Sequence, residues 1–231
     1  VLFGTIEIPA EEAYRKMLSS YIGIDFSTIN KKELTQEEKD YYLDKVKEFT
    51  ENYKDKLFIY YKRSGFCSKD IEVYYNNLKK AGIIIEDIVL DYLFIMKSNE
   101  GSNLSLVEAC GKIPTEARIL SQITNTRIFS AAQLRPETQN MEIEEITFEN
   151  IYFMKNLAYE ATYTLLLKSQ KGKNTQEFDT VYSKCLPSRQ QWSNIVYSFP
   201  NANFNQVRLG TPEECIYKQS SDIEMLDNFV V

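Results

Sequence analysis

The chain has 231 residues, of which 43% are hydrophobic and 26% charged, so it is long enough for one large domain with a full core. Its net charge of −6 excludes a polycation, and any contact with nucleic acid must come from local basic loops or from an assembled ring. The absence of histidine excludes imidazole metal sites and Ser-His or Cys-His catalysis within the chain.

Two further features of the composition bear on the compartment. The four cysteines are widely spaced and form no C-x-x-C pair, which is typical of free thiols in a reducing compartment. No apolar stretch reaches the roughly 20 residues of a membrane span. The sequence begins at Val1 without a methionine, and we expect that residues preceding Val1 are missing from it.

The first predicted elements are a strand and the helix that follows it. Residues 1–8 (VLFGTIEI) form a short apolar strand, and Pro9 followed by Glu11 and Glu12 is typical of a helix start. Glu7 therefore lies at a strand-to-helix junction. Residues 28–53 are charge-rich with a helical pattern of inward apolar positions.

A second strand and helix precede the most apolar stretch of the chain. Residues 57–61 (LFIYY) predict a strand, and residues 68–80 predict a helix with Ser68 as its N-cap. Residues 83–96 (IIIEDIVLDYLFIM) predict a central strand that is buried on both faces. Asp91 then lies at the edge of the sheet where ligands bind, or alternatively caps the next turn.

The middle of the chain adds two polar loops, a helix and a strand. Residues 97–103 (KSNEGSN) form a loop, and a helix is predicted to begin at Pro114 and to end at Ile123. Residues 127–132 (RIFSAA) form a buried strand that stops at Gln133, and residues 134–145 form a polar, mobile loop.

The last third of the chain predicts strands without helices between them. Strands are expected at residues 161–167 and 179–183, and residues 194–199 and 205–209 form a hairpin-like pair. Residues 210–231 form an acidic, flexible tail. Strands alternating with helices earlier in the chain predict an α/β fold with a mostly parallel central sheet, three layers (α/β/α) and a C-terminal β-hairpin.

Four segments, in this order, resemble the RecA-like ATPase domain of DnaB-type replicative helicases. VLFGTIEIPAEEAYRKMLSS resembles a strand–helix segment of that family, DIVLDYLFIM its Walker B strand, and RIFSAAQL its sensor strand. LPSRQQWSNIVYSF resembles its hairpin more weakly. The T-even phage branch is the most similar, because it shares the A-A-Q ending and a comparable insert before the Walker B strand. The resemblance covers residues 1–209, which would be one motor domain, N-terminally incomplete.

The resemblance implies specific roles for four residues. Glu7 would be the catalytic glutamate that polarises the attacking water, and Asp91 would hold Mg²⁺. Gln133 would sense the γ-phosphate of ATP, and Arg189 would be the arginine finger that reaches a neighbouring subunit's site. Each has a structural alternative: a carboxylate at a helix N-terminus, a turn cap, an amide that ties down a loop, and an exposed hairpin arginine.

The resemblance also implies partners and a location. DNA contacts in this family come from central-channel loops, here residues 97–103 and 134–145, with Lys97 and Arg135 as phosphate partners. The expected assembly is a hexamer on single-stranded DNA that uses ATP and Mg²⁺. The acidic tail would dock a primase, a helicase loader or a single-strand-binding protein. The expected location is the cytoplasm, of a bacterial host if the protein is phage-encoded.

The chain departs from the family pattern at three places. No G-x-x-x-x-G-K-S/T segment occurs, so the chain as given lacks the family's phosphate cradle, which in the family lies upstream of the segment matched by Val1. Pro187 replaces the hairpin lysine, and Glu160, Ala161 and Thr162 replace a D-A-D motif. The alternative is therefore a degenerate, non-hydrolysing RecA-like scaffold or loader. A recombinase or circadian-type ATPase shares the fold, but the E-x-P-A-E segment argues against it.

Overall fold

The computed structural model describes residues 1–24, 26–31, 34–101, 104–141, 145–152, 156–170, 179–186, 193–198 and 208–210. The chain divides into two compact units, one comprising residues 1–138 and 147–162 and the other residues 139–146 and 163–231. Within the described residues, no helix has both the length and the apolar character that crossing a membrane requires.

The first unit contains a four-stranded parallel sheet in the order β2-β1-β3-β4. Its strands are β1 (Leu2–Thr5), β2 (Phe58–Tyr61), β3 (Asp87–Asp91) and β4 (Arg127–Ser130). Consecutive strands are separated by helices, which is the connection that parallel strands need. The predicted α/β class with a mostly parallel sheet is confirmed.

Six described helices belong to this unit, and of three short 3-10 helices described here, the one at residues 136–140 extends past its boundary. They are α1 (Ala10–Ile22), α2 (Phe26–Lys31), α3 (Gln36–Tyr53), α4 (Ser68–Lys80), α5 (Leu106–Thr124) and α6 (Leu157–Glu160), with 3-10 turns at Leu93–Ile95, Pro136–Asn140 and Phe148–Asn150. The helical pattern predicted within residues 28–53 is confirmed by α3, and α2 ends within the same range. Helix α3 begins at a capping box formed by Thr35 and Glu38.

The start of α5 differs from the prediction. The helix begins at Leu106, where Ser105 and Glu108 form a capping box, and Pro114 lies buried within it. The Ser105 hydroxyl accepts from the Glu108 N–H while the Glu108 carboxylate accepts from the Ser105 N–H, which satisfies two free donors of the first turn. Placing the start at Pro114 was therefore wrong.

The N-cap of α4 is one residue earlier than predicted. Cys67, not Ser68, precedes the first helical residue, and its backbone N–H donates to the Asp70 carboxylate over 3.0 Å. Ser68 is instead the first residue of the helix and is 3% exposed. Its hydroxyl is bonded to a loop that follows β3, as described below.

Strand β3 is buried on one face only. Ile88 and Leu90 are at most 1% exposed and pack with Leu2, Phe66 and Ile71 in the core beneath α4 and α5. The alternate positions of β3 are half-buried, and the chain leaves the strand at Asp91 and enters a 3-10 turn. The predicted strand over 83–96, buried on both faces, is thus too long and too buried.

Helix α1 is held by a separate apolar cluster with α3. Leu18, Ile22 and Phe49 form its buried centre, and Tyr14 and Tyr21 pack edge-on against the Phe49 ring. This cluster fixes the helix that begins directly after the β1 turn and therefore supports the position of that turn.

The second unit contains an antiparallel sheet in the order β5-β6-β7-β8. Its strands are β5 (Thr164–Gln170), β6 (Asp179–Leu186), β7 (Ser193–Ser198) and β8 (Arg208–Gly210). The predicted hairpin corresponds to the β7–β8 pair, which is one part of this larger sheet. The predicted tail after residue 210 lies outside the described residues.

Candidate active site at the carboxyl edge of the parallel sheet

Parallel pairing brings the ends of β1, β3 and β4 to one edge. Thr5 is the register partner of Asp91, and Leu90 is the partner of Ser130. The residues that follow these strands therefore leave the sheet on the same side. This is the edge at which ligands bind in open α/β sheets.

Glu7 lies in the turn between β1 and α1, and its side chain is exposed. The turn is held by Thr5, which is fully buried and whose hydroxyl donates to the Ile8 carbonyl (3.3 Å) and accepts from the Ile8 N–H (3.4 Å). Two bonds to the same residue restrict the three-residue turn on which Glu7 sits. Thr5 is thus a positioning residue that the sequence pattern did not reveal.

Asp91 ends β3 and is half-buried. Just beyond it, the Leu93 N–H donates to the Ala131 carbonyl over 3.2 Å, which ties the turn after β3 to the segment after β4. The Ser130 hydroxyl also donates to the Leu90 carbonyl (2.5 Å). These bonds hold the two segments together at the point where the Asp91 carboxylate leaves the sheet.

Gln133 is exposed and lies beside the Asp91 turn. Its side-chain amide donates to the Tyr92 hydroxyl (3.2 Å), and its backbone carbonyl accepts from the Tyr152 N–H (2.8 Å). The structure thus joins Gln133 to the residue that follows Asp91, and Glu7 follows the strand paired with β3. Tyr92, like Thr5, was missed, because a tyrosine after a strand has no distinctive pattern.

The opposite edge of the sheet has a different character. Asp87 accepts two hydrogen bonds from the Arg127 guanidinium, at 2.6 and 3.0 Å, across the β3–β4 pair. These bonds hold the pKa of the Asp87 carboxyl below its ordinary value. Asp87 therefore forms a structural ion pair with Arg127 at the entry of β3.

The donor set at the carboxyl edge fits a magnesium ion only in part. Mg²⁺ in nucleotide sites uses one or two protein carboxylates and takes its other ligands from phosphate and water, which Asp91 would permit. The part of the chain that the structure describes contains no group of three or more His, Cys, Asp or Glu residues that could hold a metal ion. The sequence has no phosphate-cradling loop of the G-x-x-x-x-G-K-S/T kind, so these residues do not fit the whole nucleotide.

The two predicted DNA-contacting residues follow β3 and β4 respectively. The Lys97 ammonium is exposed, and its backbone N–H donates to the Phe66 carbonyl (2.9 Å). Arg135 is half-buried, and its guanidinium lies 3.9 Å from the Glu137 carboxylate. An ion pair of that length at the surface contributes little, so Arg135 remains available for a phosphate.

The segment after Gln133 is more ordered than predicted. Leu134 forms an antiparallel bridge with Ile151, the Arg135 N–H donates to the Asn150 carbonyl (2.8 Å), and a 3-10 helix covers Pro136–Asn140. These residues therefore form regular structure where the sequence predicts a polar loop, and the mobility of the segment stays a prediction. Arg189, the predicted finger, lies outside the described residues.

Two of three comparisons with known proteins find matches, one to a family model and one to solved structures of similar fold. The model of the DnaB-like helicase C-terminal domain matches residues 1–145. A solved DnaB-like replicative helicase, described with its primase interactions, is similar with a TM-score of 0.71 and 13% identity over 87% of this chain and 48% of that one. A second solved structure, of an ATPase domain, is similar with a TM-score of 0.73 and 14% identity over 90% of this chain and 74% of that one. No curated protein matches significantly. The chain spans about half the length of the first structure.

Proposed function

Because the chain belongs to the family of DnaB-like helicase C-terminal domains, we propose that it is the motor domain of an ATP-dependent replicative DNA helicase. The observation that supports this most directly is that β1, β3 and β4 end at a common edge of the sheet. Asp91 ends β3 at this edge, and Glu7 and Gln133 follow β1 and β4. Phosphoryl transfer to water uses groups of these kinds: a carboxylate that accepts a proton, a carboxylate that binds a cation, and an amide that senses the phosphate.

Each residue has a separate role in this proposal. The exposed Glu7 would orient a water molecule and accept its proton as the oxygen of that water bonds to the terminal phosphorus and the bond from that phosphorus to the leaving ADP breaks. Asp91 would hold Mg²⁺, whose charge would offset that of the phosphates, and Gln133, whose amide donates to the Tyr92 hydroxyl, would contact the terminal phosphate. Magnesium-bound ATP supplies the phosphoryl group that is transferred. Arg189 would act from the neighbouring subunit of a hexamer, where its charge offsets that of the transition state.

A helicase motor requires a phosphate cradle, and the given sequence contains no G-x-x-x-x-G-K-S/T segment that would form one. Strand β4 is an edge of the described sheet, and its Phe129 is 53% exposed. A further parallel strand beside β4 would cover that side chain and would bring its following loop to the edge that contains Asp91. We propose that a preceding segment of the same protein supplies this strand and the loop.

The remaining parts of the proposal concern partners. Lys97 and Arg135 contact the phosphates of single-stranded DNA, and repetition of these two cations around a ring raises the local positive charge in the channel, although each chain has a net charge of −6. The solved DnaB-like helicase interacts with primase, and we propose a primase, a helicase loader or a single-strand-binding protein as a partner here as well. The protein would act in the cytoplasm, of a bacterial host if it is phage-encoded.

The test is Glu7→Gln in the full-length protein. We expect DNA-stimulated ATP hydrolysis to fall by about 10²–10⁴-fold, because the amide cannot accept the proton, while ATP affinity changes little. Glu86→Gln is the matched control, because Glu86 is an exposed carboxylate at the opposite end of the same sheet. Normal turnover in Glu7→Gln would refute the assigned role of Glu7.

The second candidate is a non-hydrolysing RecA-like scaffold or loader. It is favoured by the sequence itself, in which the Gly-Lys pairs at 111–112 and 172–173 are followed by Ile113 and Asn174 and not by Ser or Thr. Calorimetric titration of the full-length protein with ATP separates the two candidates. Binding followed by hydrolysis supports the motor, and the absence of binding supports the scaffold.

A further inference from the structure

The segment that follows β3 begins with a compact base, residues 97–101. The Gly101 N–H donates to the Ser98 carbonyl (3.2 Å), and the Glu100 N–H donates to the Ser98 hydroxyl (3.3 Å). Gly101 has φ +84°, a value that favours glycine and closes the turn. The loop base is thus a defined turn and not an open chain, although a polar loop is all that its sequence predicts.

Glu116 of α5 fixes this turn from one side. Its carboxylate accepts from the Ser98 hydroxyl (2.6 Å) and from the Asn99 N–H, which lies 3.0 Å from both carboxylate oxygens. Bonds to an ionised acceptor are stronger than bonds between neutral groups. Lys112, one turn earlier on α5, adds an ion pair with Glu100.

Asn99 fixes the same turn to α4. Its side-chain amide donates to the Ser68 hydroxyl (2.8 Å), and its side-chain oxygen accepts from the Lys69 N–H (3.1 Å). One residue therefore satisfies a free donor of the first turn of α4 and bonds to Glu116 through its backbone. The loop base is attached to both helices that cover this face of the sheet.

The position of Lys97 depends on this anchorage. Its backbone is bonded to Phe66, and its aliphatic stem lies against Gly65, where an added Cβ would be 3.1 Å from Lys97 Cε. The stem is thus supported on the chain just before α4, while the ammonium is exposed. If the loop base separates from α4, the Lys97 ammonium is no longer held in a fixed position relative to Gly65.

We propose that Glu116 and Asn99 are positioning residues that hold Lys97 where it contacts single-stranded DNA. This inference rests on the proposed helicase function, because it assigns Lys97 to DNA. Binding to a preorganised loop avoids the ordering cost that a free loop would pay. Glu116 and Asn99 therefore affect DNA affinity without contacting DNA, and they leave the hydrolytic residues at β1 and β4 unchanged.

The first measurement is amide hydrogen exchange in the full-length protein with Glu116→Gln and, separately, Asn99→Ala. We expect exchange in residues 97–101 to become at least about tenfold faster, with the strands of the parallel sheet unchanged. Glu51→Gln and Asn76→Ala are matched controls, because both residues are exposed on helices. Asn99→Asp should largely restore protection, since the Ser68 hydroxyl can donate to the new carboxylate. Unchanged exchange in both variants would overturn the anchorage.

The second measurement is ATP hydrolysis as a function of single-stranded oligothymidylate concentration. We expect Glu116→Gln and Asn99→Ala to raise the half-saturating DNA concentration about 3–10-fold while the rate at saturating DNA stays within about twofold, because only positioning is lost. A half-saturating concentration equal to that of the controls would overturn the positioning role. If the unaltered protein is not stimulated by DNA, the proposed function fails, while the exchange result still decides whether the anchorage exists.

Discussion

Substitution of glycine by alanine is predicted to lower the stability of the protein at Gly4 and to raise it at Gly111. A Cβ at Gly4 in β1 would lie 3.0 Å from Phe66 Cζ, 3.1 Å from Ile71 Cδ1 and 3.4 Å from Leu90 Cδ2. Phe66 and Ile71 are fully buried, so neither ring nor methyl can move aside without disturbing the core. Overpacking of this kind costs about 1–3 kcal/mol. A Cβ at Gly111 in α5 would meet only Asn156 Nδ2 at 3.9 Å, so alanine there gains about 0.5–1 kcal/mol of helix stability.

Differential scanning calorimetry of the two variants measures both effects. A change of 1 kcal/mol shifts the melting temperature by roughly 2–4 °C for a chain of this size. Gly4→Ala should therefore lower the melting temperature of the first unit by about 2–12 °C, and Gly111→Ala should raise it by about 1–4 °C. An increase in the melting temperature of both variants would refute the packing argument at Gly4, because the backbone effect of alanine alone would then account for both.

Two further changes test the packing of α5 against its neighbours. The Tyr75 hydroxyl donates to the Thr124 carbonyl over 2.9 Å in a buried position, so Tyr75→Phe should cost about 1–2 kcal/mol in chemical denaturation, and a neutral result would mean that water replaces the bond. Hydrogen bonds from Thr115 and Arg118 hold the pKa of the Glu160 carboxyl below its ordinary value. The stability that the ionised Glu160 adds is present above the unfolded pKa of about 4.3 and is lost as pH falls through the folded pKa. The melting temperature of the unaltered protein should therefore exceed that of Glu160→Gln by less as the pH is lowered. A difference that does not change with pH would contradict this prediction.

The sheet and its functional edge were predictable from local patterns. Apolar runs near Leu2, Phe58 and Ile88, each followed by polar residues and a helical period, indicated parallel strands. Once the strands are parallel, the residues after them must leave at one edge, which places Glu7 and Gln133 on the same side as the end of β3. Which side chains lie within bonding distance depends on turn geometry, and the roles assigned to these residues remain predictions.

The errors arose where two local signals competed. Proline is common at the first position of helices, which favours a start at Pro114. The capping box that begins nine positions earlier at Ser105 satisfies backbone donors and starts α5, while tertiary packing retains the proline inside the helix. In α4 the Cys67 N–H is satisfied by Asp70, which leaves Ser68 free to bond to Asn99, a residue 31 positions away. Contacts of that kind depend on the fold and have no periodic pattern in the sequence.

The packing of the core, and not contacts within the candidate site, determines the register of the strands that carry the site residues. Leu2 and Ile88 are register partners and both are 0% exposed, and two residues farther along the core face Leu90 is 1% exposed beside Gly4. A slip of β1 by one residue would move Leu2 to the other face of the sheet and out of the core, at a cost of roughly 1.5–3 kcal/mol for a buried aliphatic side chain. The same slip would shift Glu7 by about 3.3 Å relative to β3. Apolar burial therefore fixes the position of a carboxylate that makes no contact with the core, which is why an exposed Glu7 can keep a constant place in the site.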